Sequence, residues 1–281
     1  MGATVLRGVG WFVRWNERPC SGRVEDRGRF RPYVSGQRYR PYVTASVFYA
    51  RPAEPGAVLS VVPALASWDK AGSPGQVRSA AFIDEVHSVT AAQVRATPDP
   101  LALRLDVGLP ETVSLVALHD LDNYLFPLVP KLTERSGRQF GSVWATKRHA
   151  AASTVSVEQA VPVGDPGGAW SFEVTTTASA STTAYKQQVR DQIAAANPIP
   201  GQSISLQLAF VVGPGRSWPN LWKATIDALG SILGHDEGVE EWNARDGRIV
   251  DLGLHCVVDG SVSNQIQIAV RASRLDADNA R

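Results

Sequence analysis

Ile204-Ser205-Leu206-Gln207-Leu208-Ala209-Phe210-Val211-Val212 alternates along its length, the period of two that turns one face of a β-strand into a core. Reading outward, 170–177 has the character of an earlier strand. Residues 181–196 place Tyr185, Val189 and Ile193 on one helical face, closed by Asn197 and Pro198. Downstream, Pro219 suits a first helical turn. Trp222, Ile226 and Leu229 follow at i, i+4 and i+7, and Gly234 can cap the end. Residues 248–258 and 264–271 then flank Asp259-Gly260, a hairpin turn signal.

The same order stands earlier in the chain. At an offset of 103, Phe82 and Val86 fall on Tyr185 and Val189, and Leu101, Leu103, Leu105 and Val107 fall on Ile204, Leu206, Leu208 and Phe210. At 97, Leu125, Val129 and Leu132 match Trp222, Ile226 and Leu229. At 106, Gly141, Val143 and His149 match Gly247, Ile249 and His255, and 154–160 supplies the last strand. The chain therefore predicts two similar α/β halves, 42–161 and 169–281, joined by the Gly- and Pro-rich stretch 162–168. A half of roughly 100 residues leaves a sheet face or edge wanting a partner. The halves are expected to pack as an intramolecular pseudo-dimer, the single-chain equivalent of a twofold homodimer, and the chain can be monomeric beyond that.

With 281 residues, 44% hydrophobic and 20% charged, the composition excludes an intrinsically disordered chain. No apolar run approaches the ~18 residues of a membrane helix, and the start lacks the charged-then-apolar order of a signal peptide, so a cytoplasmic protein without a membrane partner is expected. Cys20 and Cys256 have no local His or Cys partner and support neither a disulfide framework nor a zinc motif. P-loop, G-x-S-x-G and H-E-x-x-H patterns are absent.

The net charge of +1 conceals a gradient. Residues 1–41 form a basic, aromatic N-terminal segment: nine arginines stand against three acids in 1–40, a net +6 that leaves −5 on the remainder. Arg14, Arg18, Arg23, Arg27, Arg29, Arg31, Arg38 and Arg40 are interleaved with Trp11, Phe12, Trp15, Phe30, Tyr33 and Tyr39. Such a pattern pairs phosphate-binding forks with faces on which bases stack, and points to DNA as a partner. The competing reading is a solvated surface in a chain where arginine outnumbers lysine 23 to 5.

The sharpest local signal is His119-Asp120-Leu121-Asp122-Asn123, directly before a helix-like run. Carboxylates at i and i+2 beside a helix start can converge on one hard cation, with magnesium the natural choice; the plainer reading is helix capping. Pro127 and Pro130 lie within that run, where Pro127 would meet the carbonyl of Asn123, so the helix is expected to be bent or delayed. His149 and His255 read as structural, and the acidic loop 235–246 as solvated.

The order strand, D-L-D-N, helix, acid, strand resembles the RusA-like family of Holliday junction resolvases over about 210 residues, from roughly position 70 onward. The resemblance implies a small α/β (α+β) fold that pairs as a dimer, binds branched or duplex DNA and, with magnesium, cuts phosphodiesters near a four-way crossover. The family's signature, D-x-D-N-x-x-K and then a D-D pair before the next strand, is divided here. Asp120, Asp122 and Asn123 match its beginning, but Phe126 stands at its lysine and Phe140 near its later acid. In the second half Asn220, Lys223, Asp227-Ala228-Leu229 and Asp246-Gly247-Arg248-Ile249 match, whereas Ser217 and Pro219 replace the leading acids. The resemblance implies a catalytic set of Asp120, Asp122, Asn123, Lys223 and Asp246, with Asp120 and Asp122 as metal ligands and Glu134 or Glu111 as a third acid. It also implies that each half completes its own site, so that Asp120 and Asp122 lie apart from Lys223 and Asp246; the chemically attractive alternative is a composite site in which the four meet across the pseudo-dimer. Three readings follow: a magnesium-dependent structure-selective endonuclease of DNA recombination and repair, a catalytically degenerate DNA-binding or assembly module, and an unrelated α/β protein.

Overall fold

The alternation in the two apolar strands builds one sheet. A computed structural model of the chain describes residues 45–53, 56–67, 69–235 and 242–275; the arginine-rich segment with its eight candidate DNA-binding arginines, Cys20 and loop 236–241 lie outside the described residues. The first half comprises β1 (Phe48–Tyr49), β2 (Ala57–Val58), α1 (Pro74–Ala96), β3 (Leu101–Leu109), α2 (Leu121–Ser136), β4 (Phe140–His149), β5 (Thr154–Gln159) and β6 (Pro162–Val163). The second comprises β7 (Trp170–Thr176), α3 (Thr183–Ile193), β8 (Ser203–Val212), α4 (Pro219–Ala228), the short α5 (Gly230–Leu233), a 3-10 turn at Asp246–Arg248, β9 (Ile249–Val258) and β10 (Ile266–Leu275). The fold is mixed α+β. No described helix is long and apolar enough to cross a membrane.

Eight strands form a sheet ordered β2-β5-β3-β4-β9-β8-β10-β7. The order reads alike from both edges when β2 is exchanged with β7, β5 with β10, β3 with β8 and β4 with β9. The pairs β3–β4 and β8–β9 are parallel, and the two halves meet where β4 and β9 run antiparallel. Both halves belong to one compact unit, Val43–Arg281, because they share this sheet.

Register corrects one sequence expectation. Leu103 pairs with Val143 as Leu206 pairs with Leu252, so β4 maps onto β9 at an offset of 109, not 106. At 109 the ladder from Ser142↔His255 to Thr146↔Asp251 is centred on Trp144↔Gly253, and those two residues are each other's counterpart. His149 and His255 are therefore not equivalent. A second correction concerns Asp259-Gly260: β9 and β10 are not hairpin partners, because β8 lies between them. The connection crosses the end of β8, where Asp259 N–H donates to Val212 O at 2.9 Å and a Cβ on Gly213 would meet Val262 O at 2.3 Å. The first half repeats the crossing, with Ala150 N–H donating to Leu109 O at 3.1 Å.

One face of the sheet carries the main core. Leu101, Leu103, Leu105, Leu206, Leu208 and Phe210 pack there with Phe82 and Val86 of α1, Leu125 and Val129 of α2, Tyr185 and Val189 of α3, and Trp222 and Ile226 of α4. Each such fully buried side chain contributes about 1.5–3 kcal/mol of transfer free energy. Trp218 joins this core, edge-on to Trp222 at 4.8 Å.

Segment 47–53 covers the opposite face. Phe48 packs on Ala209 and Ala269, and Tyr49 on Ala102 and Ala160. Arg51 stacks over Trp144 at 4.6 Å and pairs with Asp251, while Arg104 Nη1 donates to Pro52 O at 2.8 Å. His255 is enclosed here by Phe48, Tyr49 and Trp144, and burial lowers its pKa to about 3, so it is a neutral structural residue. Part of the stretch expected to be a linker is a strand: β6 pairs with β1.

The prolines of α2 neither delay nor interrupt it. The Asn123 carbonyl, which Pro127 cannot serve, accepts from Ala66 N–H at 2.8 Å.

The centre of the β4–β9 ladder depends on glycine. A Cβ on Gly253 would lie 2.9 Å from Trp144 Cζ3 and 3.0 Å from Gln207 Cγ. Gly253→Val is therefore expected to cost about 1–3 kcal/mol by overpacking, read as a lower urea midpoint at unchanged m-value. Wild-type stability in this variant would refute the tight crossing.

Candidate active site

Sharing the sheet through β4 and β9 brings α2 and α4 side by side, with the start of α2 facing the turn before β9. The chain enters α2 through Leu118 (φ 60°) and His119 (φ 56°), two consecutive non-glycine residues in the left-handed region. Such backbone is costly and has to be held by its surroundings. The holder is Lys147. On β4 it shares the core-facing alternation of Val143 and Ala145, and its Nζ donates to the carbonyls of Gly247 at 2.8 Å, His119 at 3.1 Å and Leu118 at 3.4 Å. One buried ammonium thus spends its three donors tying the first half's loop to the second half's turn. Burial lowers its pKa to about 8 against the opposing pull of Asp120, Asp246 and Asp122. On the other side of that turn, Arg248 donates to the carbonyls of Leu233, Ile199 and Gly201.

Held this way, residues from both halves converge. Lys223 Nζ on α4 lies 2.5 Å from Asp246 Oδ2, 3.2 Å from Asp227 Oδ1 and 4.0 Å from Asp122 Oδ2. Asp246 lies near enough to raise the pKa of Asp120, which accepts from Asn123 Nδ2 at 3.0 Å. The expectation that Asp120 and Asp122 lie apart from Lys223 and Asp246 is overturned. The four meet in one composite cluster, because the halves join along the strands that border these motifs. Asp246, and not Glu134 or Glu111, is the further acid beside Asp120 and Asp122. Glu134 is exposed and bound to Lys131 at 2.7 Å, and Glu111 is exposed. The capping reading holds in part: Asp120 occupies the N-cap position of α2 and Asp122 its first turn, but Asp120 makes no side-chain capping bond.

The electrostatics follow from burial. Asp122 is 2% exposed, and its Oδ2 has no hydrogen-bond partner among the described residues. Desolvation pushes its pKa up to about 7, against the pull of Lys223. Asp120 is raised by burial and then by Asp246. Burial would lower Lys223, but Asp122, Asp246 and Asp227 together raise it, so it remains an ammonium and not a base. Lys186 binds Asp227 from behind at 2.6 Å and faces the ring of Trp242 at 5.9 Å. His119 Nδ1 lies 2.6 Å from Tyr124 Oη, with burial and then Lys147 lowering its pKa and burial pushing Tyr124 up to about 12.

The cluster opens through Lys223 into a cleft of about 560 Å³ lined also by Asn123, Asn220, Lys186 and Arg216. Its acids offer only oxygen, the donor type hard divalent cations take, and an orphaned buried carboxylate oxygen marks a deficit of positive charge. The residues thus fit a magnesium ion in kind. In the arrangement observed, no group of three or more His, Cys, Asp or Glu among the described residues is set around a metal position, and Lys223 stands between the acids.

Sequence reading missed Lys147, Asp227 and Lys186 as members of this cluster. For Lys147 the signal was present, a lysine in core-facing register within an apolar strand. Cys256 is buried, with its thiol pushed up to about 12, which leaves it inert.

No family model matches the sequence, and no curated protein matches it. Among solved structures, cyanuric acid hydrolase, described as an evolutionary innovation by structural concatenation, is 9% identical with a TM-score of 0.19. The match covers 68% of this chain and 64% of that one, so the chain spans less than two thirds of that protein's length. A likeness at that level carries no structural or functional argument.

Two measurements test the electrostatics. Between about pH 4 and pH 7 folded Asp122 keeps a proton that the unfolded chain has lost, so its share of stability falls as pH rises through 7. Asp122→Asn should therefore match wild type near pH 4 and exceed its Tm by at least about 2–4 °C at pH 8, the shift that ~1 kcal/mol produces. A Tm difference independent of pH would contradict the buried carboxyl. Lys147→Met strands three carbonyls and should cost about 1–3 kcal/mol in urea unfolding; an unchanged midpoint would dismiss the clasp.

Proposed function

We propose that the chain is a magnesium-dependent, structure-selective DNA endonuclease of the resolvase type, built as a fused pair of RusA-like halves that assemble one composite site. The observation that carries this reading is the meeting of Lys223 with Asp246 at 2.5 Å and Asp122 at 4.0 Å, which reunites motif parts that neither half holds alone. Asp120, Asp122 and Asp246 would hold the cation, which supplies charge neutralisation and an activated water when bound. Lys223, fixed as an ammonium and open to the cleft, is placed to bind a phosphate oxygen and to steady charge on the scissile group. Asn123 orients Asp120. Lys147 touches no substrate in this scheme and acts as a positioning residue.

The alternative, a catalytically degenerate DNA-binding or assembly module, draws on the same cluster, in which Lys223 stands between the acids, and predicts junction binding without cleavage. Arg216, Lys186 and Lys223 line the cleft, in keeping with a polyanionic substrate. The N-terminal arginines remain the candidate non-specific DNA contact; removing 1–41 should weaken junction affinity and flatten its salt dependence.

The test is a labelled four-way junction incubated with and without Mg²⁺. Cleavage should require the metal and fall by at least about 10²-fold in Asp120→Asn, Asp122→Asn, Asp246→Asn and Lys223→Met, the scale seen when one charged transition-state contact is removed. Cleavage that survives all four substitutions would falsify the composite site.

A further inference from the structure

Exchanging the two halves carries every charged residue of the cluster onto an uncharged or non-acidic one. At the α2–α4 offset of 97, Asp120 falls on Ser217, Asp122 on Pro219, Lys223 on Phe126 and Asp227 on Pro130. At the β4–β9 offset of 109, Asp246-Gly247-Arg248 falls on Gly137-Arg138-Gln139. The exchange is a real feature of the packing, since Leu125 and Val129 are buried in α2 as Trp222 and Ile226 are in α4. The mate position is also a real place. Pro130, Gln139, Phe140, Ser217 and Pro219 line a cleft of about 680 Å³. Its two carboxylates, Asp99 and Glu134, do not stand at exchanged positions. Both are exposed, and each is held by its own cation, Arg138 at 2.5 Å and Lys131 at 2.7 Å.

We infer that the chain breaks one DNA strand per binding event, leaving a nick and not a pair of opposed cuts, because among the described residues only one of the two positions that the exchange relates holds the carboxylate–lysine cluster. This inference rests on the endonuclease reading above. A twofold junction offers two equivalent phosphodiesters. A protein with one charged centre reaches one of them at a time, so severing the opposing strand requires release and rebinding or a second chain. The mate position lacks the lysine and the acids of the cluster, and leaves the partner strand intact.

The experiment uses a supercoiled plasmid carrying an extruded inverted repeat, with Mg²⁺ and no more than one chain per plasmid. Nicked circles should accumulate first, with linear plasmid appearing later at a rate that rises with protein concentration. Mapping should place the break on one strand at the base of the cruciform, and Asp122→Asn, checked for folding by its melting curve, should leave the plasmid supercoiled. Linear plasmid formed without a nicked precursor at limiting protein would overturn the single-cut inference alone. Absence of any break, or breaks that persist in Asp122→Asn, would overturn it together with the endonuclease reading.

Discussion

The antiparallel contact between β4 and β9 is the constraint from which the rest of the molecule follows. Each half, taken separately, ends in an unpaired parallel strand, a liability that backbone hydrogen bonding relieves only by pairing outward. Five residue pairs from Ser142↔His255 to Thr146↔Asp251 satisfy both edges at once and set the register of everything attached to them. Because α2 precedes β4 and α4 precedes β9, closing the sheet there also draws the two helices together. The cluster of Asp120, Asp122, Lys223 and Asp246 thus depends on sheet closure, which brings its parts together, and on the Lys147 and Arg248 side chains that hold the loop and the turn.

That cluster is kept at a cost. Asp122 is buried with an oxygen lacking a hydrogen-bond donor, Lys147 is a buried ammonium, and Leu118 and His119 sit in left-handed backbone. Local choices of this kind go against what a purely stabilising sequence would select, and they concentrate within a few residues of one another. Energetic conflict gathered at a single spot in an otherwise consistent fold is the usual mark of a place shaped for chemistry. Lys147 links these conflicts. The same ammonium that is expensive to bury satisfies three carbonyls of the strained loop and the neighbouring turn, so one cost offsets another.

Much of this was readable in the sequence, and the failures have physical reasons. The alternation in β3 and β8 and the helical faces of α1, α3 and α4 are properties of short segments, and the structure reproduces them. The β4–β9 alignment was missed by three residues because β4 interrupts its apolar pattern with Trp144 on the strap-covered face and Lys147 on the core face, which blurs the period of two. Asp259-Gly260 does make a tight turn, but turn chemistry says nothing about which strand the chain meets next. The composite cluster was legible only as an alternative, for a different reason. Whether Asp122 meets Lys223 depends on which edges the halves share, a long-range choice that no local pattern encodes. The first half's missing acid and lysine were visible from the start, and so was the option that Lys223 and Asp246 of the second half lie beside Asp120 and Asp122; the sheet pairing that decides it was not.

The crossing of Trp144 over Gly253 has one more implication. In an assembly of two identical chains, a residue at such a crossing must face its own copy, so a ring would confront a ring, or bare backbone would confront bare backbone. A bulky indole laid over a residue without a side chain is open only to a molecule that writes the two sides separately. With the seam fitted in this lopsided way, neither half could pair with a copy of itself without first rebuilding the place where they touch.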